Sequence, residues 1–234
     1  MVAQPFNAFR PADRPVSNAY VDSYMNIKIG EAGGLVCRVS DCLFCGTCLC
    51  VQLCPGSTVL SVVPAATLDV FEPLVVKAVP PLAAGRRFVL IFRSSRDGAS
   101  AASFHRCCDG QGPTLTLIRD VANNVFGGFA GVEWGSAADG KYLNDPAAFL
   151  FTVLNPRAAP PALFPSKANG RSIYRLSSAG PAFGDLCVTG AFDGGCWSNI
   201  GHLGYTNGTV HSGDTVLTGA EAFTPAEVEV WRLE

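Results

Sequence analysis

The chain lacks the marks of several common functions. Seventeen Lys plus Arg stand against nineteen Asp plus Glu, a formal charge of −2 over 234 residues. That balance shows no basic patch, so no nucleic-acid partner is expected. No run of five or six like charges suggests an interaction tail. Long apolar runs are missing too. The best stretch, Cys42 to Phe71, is broken by Pro55, Gly56, Pro64 and Asp69. It falls short of the ~18 apolar residues of a spanning helix. A charged segment leading into an apolar one is absent from "MVAQPFNAFRPADRPVSNAY", so no secretory leader is expected. The expectation is a soluble, cytoplasmic protein without a transmembrane segment. In that setting the sequon Asn207-Gly208-Thr209 carries no weight.

What is present is apolar residue and glycine. A hydrophobic fraction of 48% with 25 glycines suits a globular chain with many turns. The cysteines divide unequally: six of ten fall between Cys37 and Cys54, the others being Cys107, Cys108, Cys187 and Cys196. Periodicity also changes near Ala84-Gly85, after Pro80-Pro81. The expected organisation is therefore an N-terminal extension at residues 1–85, poorly ordered or Cys-rich, and a domain at 86–234. Four prolines in "VVPAATLDVFEPLVVKAVPPL" leave the extension only one expected short helix, around 72–79.

From Arg86 onward the reading is clearer. Apolar runs bounded by turn residues predict strands at 86–94, 114–118, 125–134, 148–154, 172–176, 185–190 and 227–233. A short helix is predicted over 99–108 with Ser100 as N-cap, and a Pro-rich loop over 156–165. Helical signal is otherwise sparse. The expected fold class is α+β, mainly β: a two-sheet antiparallel β-sandwich flanked by a few short helices.

These segments resemble the TLDc domain family. "SFHRCCDGQGPTLTLI" (103–118) looks like the family's "FH..CDG.GPTLTII". "NVFGGFAGVEW" (124–134), "NDPAAFLFTV" (144–153) and "GPAFGDL" (180–186) follow in order. "CWSNIGHLGY" (196–205) and "LTGAEAFTPAEVEVWRL" (217–233) complete the series. The resemblance covers about residues 86–234 and implies a β-sandwich. It also implies a role in oxidative-stress resistance and, as in several members, binding to the vacuolar proton-pumping ATPase. That places the chain in the cytoplasm, peripheral to endolysosomal or vacuolar membranes. No enzymatic activity is implied. Three departures bear on partner binding: Gly184 abuts Asp185 without the usual glycine-rich link, Trp197 stands where another residue is common, and the loop after Pro156 is rich in Pro and Ala.

Several side chains invite a chemical reading. His105, Cys107, Cys108 and Asp109 are the ingredients of a thiol nucleophile with its base. At helical spacing, however, they share a face without implying a cleft, and a small buried thiol serves equally as core. The glycines of "VFGGFAG" lie in a strand, which argues against a dinucleotide loop. Phe126, Phe129 and Trp134 read as core. Glu133, Asp139, Asp145 and Asp185 are scattered through turns, whereas Glu227 and Glu229 alternate with Val228 and Val230 and are expected on a solvent face. The Cys37, Cys42, Cys45, Cys48, Cys50, Cys54 cluster allows a four-thiolate zinc site from Cys42, Cys45, Cys48 and Cys54, palmitoylation with peripheral membrane tethering, or redox sensing. Against these stands a plain extension, or translated non-coding sequence. No catalytic, cofactor-binding or metal residue is assigned. A non-enzymatic interaction domain is the first reading, and a thiol-based redox-active or redox-sensing protein the second.

Overall fold

The computed structural model describes residues 53–206 and 215–234. Two six-stranded antiparallel sheets face one another. The first runs β1 (Phe88–Arg93), β12 (Pro225–Leu233), β2 (Thr114–Asp120), β3 (Val125–Ala130), β5 (Phe149–Leu154), β6 (Ala162–Pro165). The second runs β11 (Ala222–Phe223), β10 (Cys196–Ser198), β9 (Leu186–Thr189), β8 (Ala179–Phe183), β7 (Ile173–Arg175), β4 (Lys141–Leu143). Helices α1 (Ala65–Ala78), α2 (Pro80–Ala83), α3 (Ser94–Asp97) and α4 (Ala101–Cys108) flank them. The mainly-β sandwich expected from the sequence is the fold.

The first sheet is apolar on both faces. Ile118, Phe126, Leu150, Val228 and Val230 point into the layer between the sheets, against Phe183, Leu186 and Val188. Leu115, Leu117, Phe129, Phe151 and Trp231 point the other way, against α1 and the segment before it. A sheet covered on both sides gives near-continuous apolar strands, as in "FLFTVL" (149–154), where Leu150 faces one layer and Phe149, Phe151 and Val153 the other. At Gly128, which pairs with Thr116 and Leu150, a Cβ would stand 2.7 Å from both Leu150 Cδ2 and Phe183 Cζ. The two sheets close on the bare backbone there.

Two strands run shorter or appear where a loop was expected. The strand at 125–134 ends at Ala130, because the Asp145 carboxylate accepts the Gly131 and Val132 N–H groups at 2.6 and 3.1 Å and turns the chain. Within the expected Pro-rich loop, Ala162–Pro165 forms β6 on β5, with Phe164 buried against the inter-sheet core. Edge position makes this tolerable, since a proline donor is not missed there.

The segment before residue 86 departs most from expectation. Instead of a short helix near 72–79, α1 runs over Ala65–Ala78 with Pro73 inside it. Packing overrides the proline cost: Phe71 and Val75 are fully buried, and the Phe71 ring lies 5.0 Å from that of Phe151. Pro64 precedes the helix and Pro80 opens α2, positions where the absent N–H has no intrahelical partner to lose. Leu53, Cys54, Val59, Leu60 and Val63 extend the same buried cluster.

Glu227 and Glu229 correct the solvent-face expectation, being 6% and 0% exposed. They do lie on one face of β12, but that face is roofed. Glu229 Oε2 accepts the Ser57 hydroxyl at 2.6 Å and the Trp231 indole N–H at 3.1 Å. Its Oε1 accepts the Thr58 N–H and hydroxyl at 2.9 and 2.8 Å and the Arg93 Nε at 2.9 Å. Glu227 caps α3, accepting the Ser94 hydroxyl at 2.5 Å and the Ser95 N–H and hydroxyl at 3.0 and 2.6 Å.

Removing the Glu229 carboxylate strands Arg93 and the donors of Ser57, Thr58 and Trp231 together. Glu229→Ala should cost about 3–5 kcal/mol of stability in denaturant melts. A loss below about 1 kcal/mol would refute the anchoring role. Burial raises the Glu227 carboxyl, but the Ser94 and Ser95 hydrogen bonds outweigh it and hold the group below its ordinary value. The ionised form is thus favoured on folding, so its contribution is complete above the ordinary carboxylate range and fades as pH falls through the lowered value. Between about pH 6 and about pH 3, the native chain should lose more stability than Glu227→Gln. Parallel pH–stability curves would contradict this.

Candidate functional site

The most reactive-looking constellation sits on α4, between the sheets' open side and the Asp109-Gly110 turn. Ser100 caps this helix, its hydroxyl accepting the Ser103 N–H at 3.2 Å, as expected. Phe104 and Cys108 are fully buried and face the inter-sheet core. His105 sits at the margin: Nδ1 lies 2.7 Å from Asp109 Oδ1, and Nε2 lies 3.1 Å from the Leu176 carbonyl oxygen. Asp109 Oδ2 also accepts the Ser136 hydroxyl at 2.6 Å. Both imidazole nitrogens therefore face oxygen acceptors, and neither offers a lone pair to a substrate. His105 joins α4 to the turn before β8, and Asp109 joins it to the loop after Trp134.

The thiols complete that picture. Cys54, Cys107, Cys108, Cys187 and Cys196 are all free. Burial, with the nearby charges of Cys107, Asp109 and Asp97 adding to it, pushes the Cys108 thiol up. Burial likewise pushes Cys187 up to about 12, with Cys196 contributing. Cys54 rises through burial and through the Glu229 and Glu72 carboxylates. Cys196 rises through burial, against hydrogen bonds from Thr189 that partly offset it. A nucleophilic thiol needs the opposite environment. Cys187 and Cys196 occupy neighbouring strands yet join different clusters: Cys187 packs with Ala179 and Ala182, while Cys196 packs in the inter-sheet core. Cys54, one of the four thiols considered for zinc, lies 4% exposed in the cluster under α1. The other five of its group, Cys37 to Cys50, lie outside the described residues.

Two of the four scattered acids, Asp145 and Asp185, prove to be loop anchors, which turn-forming statistics could not reveal. Asp185 is fully buried and accepts N–H groups from Gly201, Leu203, Gly204 and Tyr205 at 3.0, 2.5, 3.0 and 3.0 Å. One carboxylate thus folds "GHLGY" around itself, and the Tyr205 hydroxyl then donates to the Ser172 carbonyl at 2.6 Å. Position 184 admits only glycine: a Cβ there would stand 3.1 Å from Gly204 Cα and collide with the Arg171 carbonyl. Asp145 does the same for the 131–132 turn and for Ala147, whose N–H it accepts at 3.1 Å. Phe126, Phe129 and Trp134 are core, as read from the sequence, with the Trp134 indole donating to Thr114 at 2.8 Å. Glu133 and Asp139 are surface residues.

Among the described residues, two shallow grooves open outward. One, of about 320 Å³, runs beside β1 between Pro55 and Trp231. The other, of about 380 Å³, lies among Tyr142, Trp197, Asn199, His202, Leu203 and Glu221 on the second sheet. Neither contains a paired carboxylate or an available thiol.

Of the five described cysteines, a small alkylating reagent under native conditions should modify the partly exposed Cys107 first. Cys54, Cys108, Cys187 and Cys196 should become reactive only on unfolding. Mass mapping of the labelled peptides measures this; rapid native labelling of Cys108 or Cys187 would restore the thiol-chemistry reading.

A search of curated proteins found no match to this chain. The family model described as the TLDc domain matches residues 74–234, beginning inside α1. That span is more than half of the chain and takes in both sheets, so the chain belongs to the TLDc domain family.

Proposed function

We propose that this chain is a non-enzymatic interaction protein of the oxidative-stress response that binds a subunit of the vacuolar proton-pumping ATPase and regulates the pump. The observation that carries the reading is the family match over residues 74–234, a family associated with oxidative-stress resistance. The geometry supports it from the other side. The His105 nitrogens, the buried thiols and the Asp145, Asp185, Glu227 and Glu229 carboxylates are all engaged in holding the fold. We assign no catalytic, cofactor-binding or metal-ligating residue.

Among the described residues no helix is long and apolar enough to cross a membrane. Action on the pump then takes place from the cytoplasm, peripheral to vacuolar or endolysosomal membranes. We further propose that the interaction module is residues 86–234, with residues 1–85 an extension whose described part lies over the first sheet. A thiol-based redox-sensing role would have to rest on Cys107 or on Cys37–Cys50.

Affinity capture with the full chain from lysate should recover subunits of the vacuolar pump. Repeated capture that recovers none of them would overturn the pump reading.

A further inference from the structure

Four strands end the two sheets, and three carry the usual obstacles to strand addition. β11 spans two residues, β4 spans three and begins with Lys141, and β6 ends in Pro165 behind Pro160 and Pro161. Short length, lysine and proline are how natural edges are blunted. β1 has none of these: its six residues, Phe88–Arg93, are apolar but for the last, with one irregularity between Leu90 and Phe92.

The phase of its backbone follows from the ladder. Arg87 and Glu234 exchange both hydrogen bonds, at 3.3 and 2.9 Å. Such exchange alternates along an antiparallel pair. Phe88 and Leu90, opposite Leu233 and Trp231, therefore turn their N–H and C=O groups away from β12; Phe88 is 2% exposed, so it is half-buried Leu90 that presents them at the open edge. No described residue is hydrogen-bonded to them there. Beyond the irregularity the edge closes, since Arg96 donates to the Ile91 carbonyl at 3.3 Å. The open portion borders the groove of about 320 Å³ lined by Pro55, Arg87, Phe88, Val89, Leu90 and Trp231.

Charge selects the occupant. Arg86 and Arg87 are both exposed at one end of this edge, and among the described residues neither is ion-paired. β1 holds no acidic residue, so a second copy aligned edge to edge supplies no counter-charge. We propose that the open edge of β1 receives an extended acidic segment of a protein partner. The segment adds a short strand to the first sheet through the Leu90 backbone. It seats an apolar side chain between Pro55 and Trp231 and sets carboxylates against Arg86 and Arg87. This rests on the reading of the domain as an interaction module and gives that module a surface.

The test uses the full chain and three short labelled peptides of alternating valine and threonine. One ends in two glutamates, one in two lysines, and one is the glutamate peptide N-methylated along a single edge. Fluorescence anisotropy should show saturable binding of the glutamate peptide only. The double change Arg86→Glu with Arg87→Glu should weaken it about tenfold while leaving the melt unchanged. Leu90→Pro removes one outward N–H and leaves the Val89 ladder bonds, so binding should be lost. If that variant fails to fold, the arginine variant decides. No binding by the full chain, equal binding of the lysine or methylated peptide, or a concentration-dependent dimer that displaces the peptide would each overturn the proposal. Lost peptide binding beside intact capture of pump subunits sinks this edge alone. The converse sinks only the pump reading.

Discussion

The Glu229 carboxylate, fully buried beneath the N-terminal segment, is the constraint on which the first sheet depends. An isolated charge in that position would be prohibitive, so every lone pair has to be met. Ser57, Thr58, Arg93 and Trp231 meet them. In doing so they fix where the chain before α1 crosses β12, and they tie it to β1 through Arg93. Arg93 Nη2 also donates to the Gly56 carbonyl at 2.9 Å, so the crossing segment is held at adjacent residues. The apolar cluster of Leu53, Val59, Phe71 and Val75 then has a surface to close on.

The same economy recurs elsewhere. Asp185 organises the 201–205 loop, Asp145 the turn after β3, and Glu227 the start of α3. Asp120 accepts the Ala122 and Asn124 N–H groups at 2.9 and 2.8 Å, letting Asn123 take its left-handed turn between β2 and β3. Acids that look available in the sequence are consumed as caps for backbone donors. His105 and Asp109 belong with them, because their hydrogen bonds join α4 to two loops and leave nothing for a substrate. A sandwich held in this way presents its edges and shallow grooves to the outside, which suits recognition of a partner.

Much of this was legible in the residues. Apolar runs between glycine and proline marked β1, β2, β5 and β12, and the Ser100 cap marked α4, because those signals are local. The two-residue and three-residue strands β11, β10 and β4 carry too little periodicity to announce themselves, whereas "SIYRL" (172–176) marked β7. α1 was obscured by its prolines, and no local rule weighs Pro73 against the burial of Phe71 and Val75.

The sequence by itself determined the class of the fold and the family, since strand length, turn chemistry and ordered motifs are properties of neighbouring residues. It also determined that Phe126, Phe129 and Trp134 are core. Only the tertiary structure decided the fate of the charges and thiols. Alternation correctly put Glu227 and Glu229 on one face of β12, but which face meets water depends on residues more than a hundred positions away. Burial of Cys108 in the inter-sheet core, and the capture of His105 Nε2 by the Leu176 carbonyl, likewise follow from contacts distant in the chain. Burial and hydrogen bonding set reactivity, and both are assembled by packing at long range.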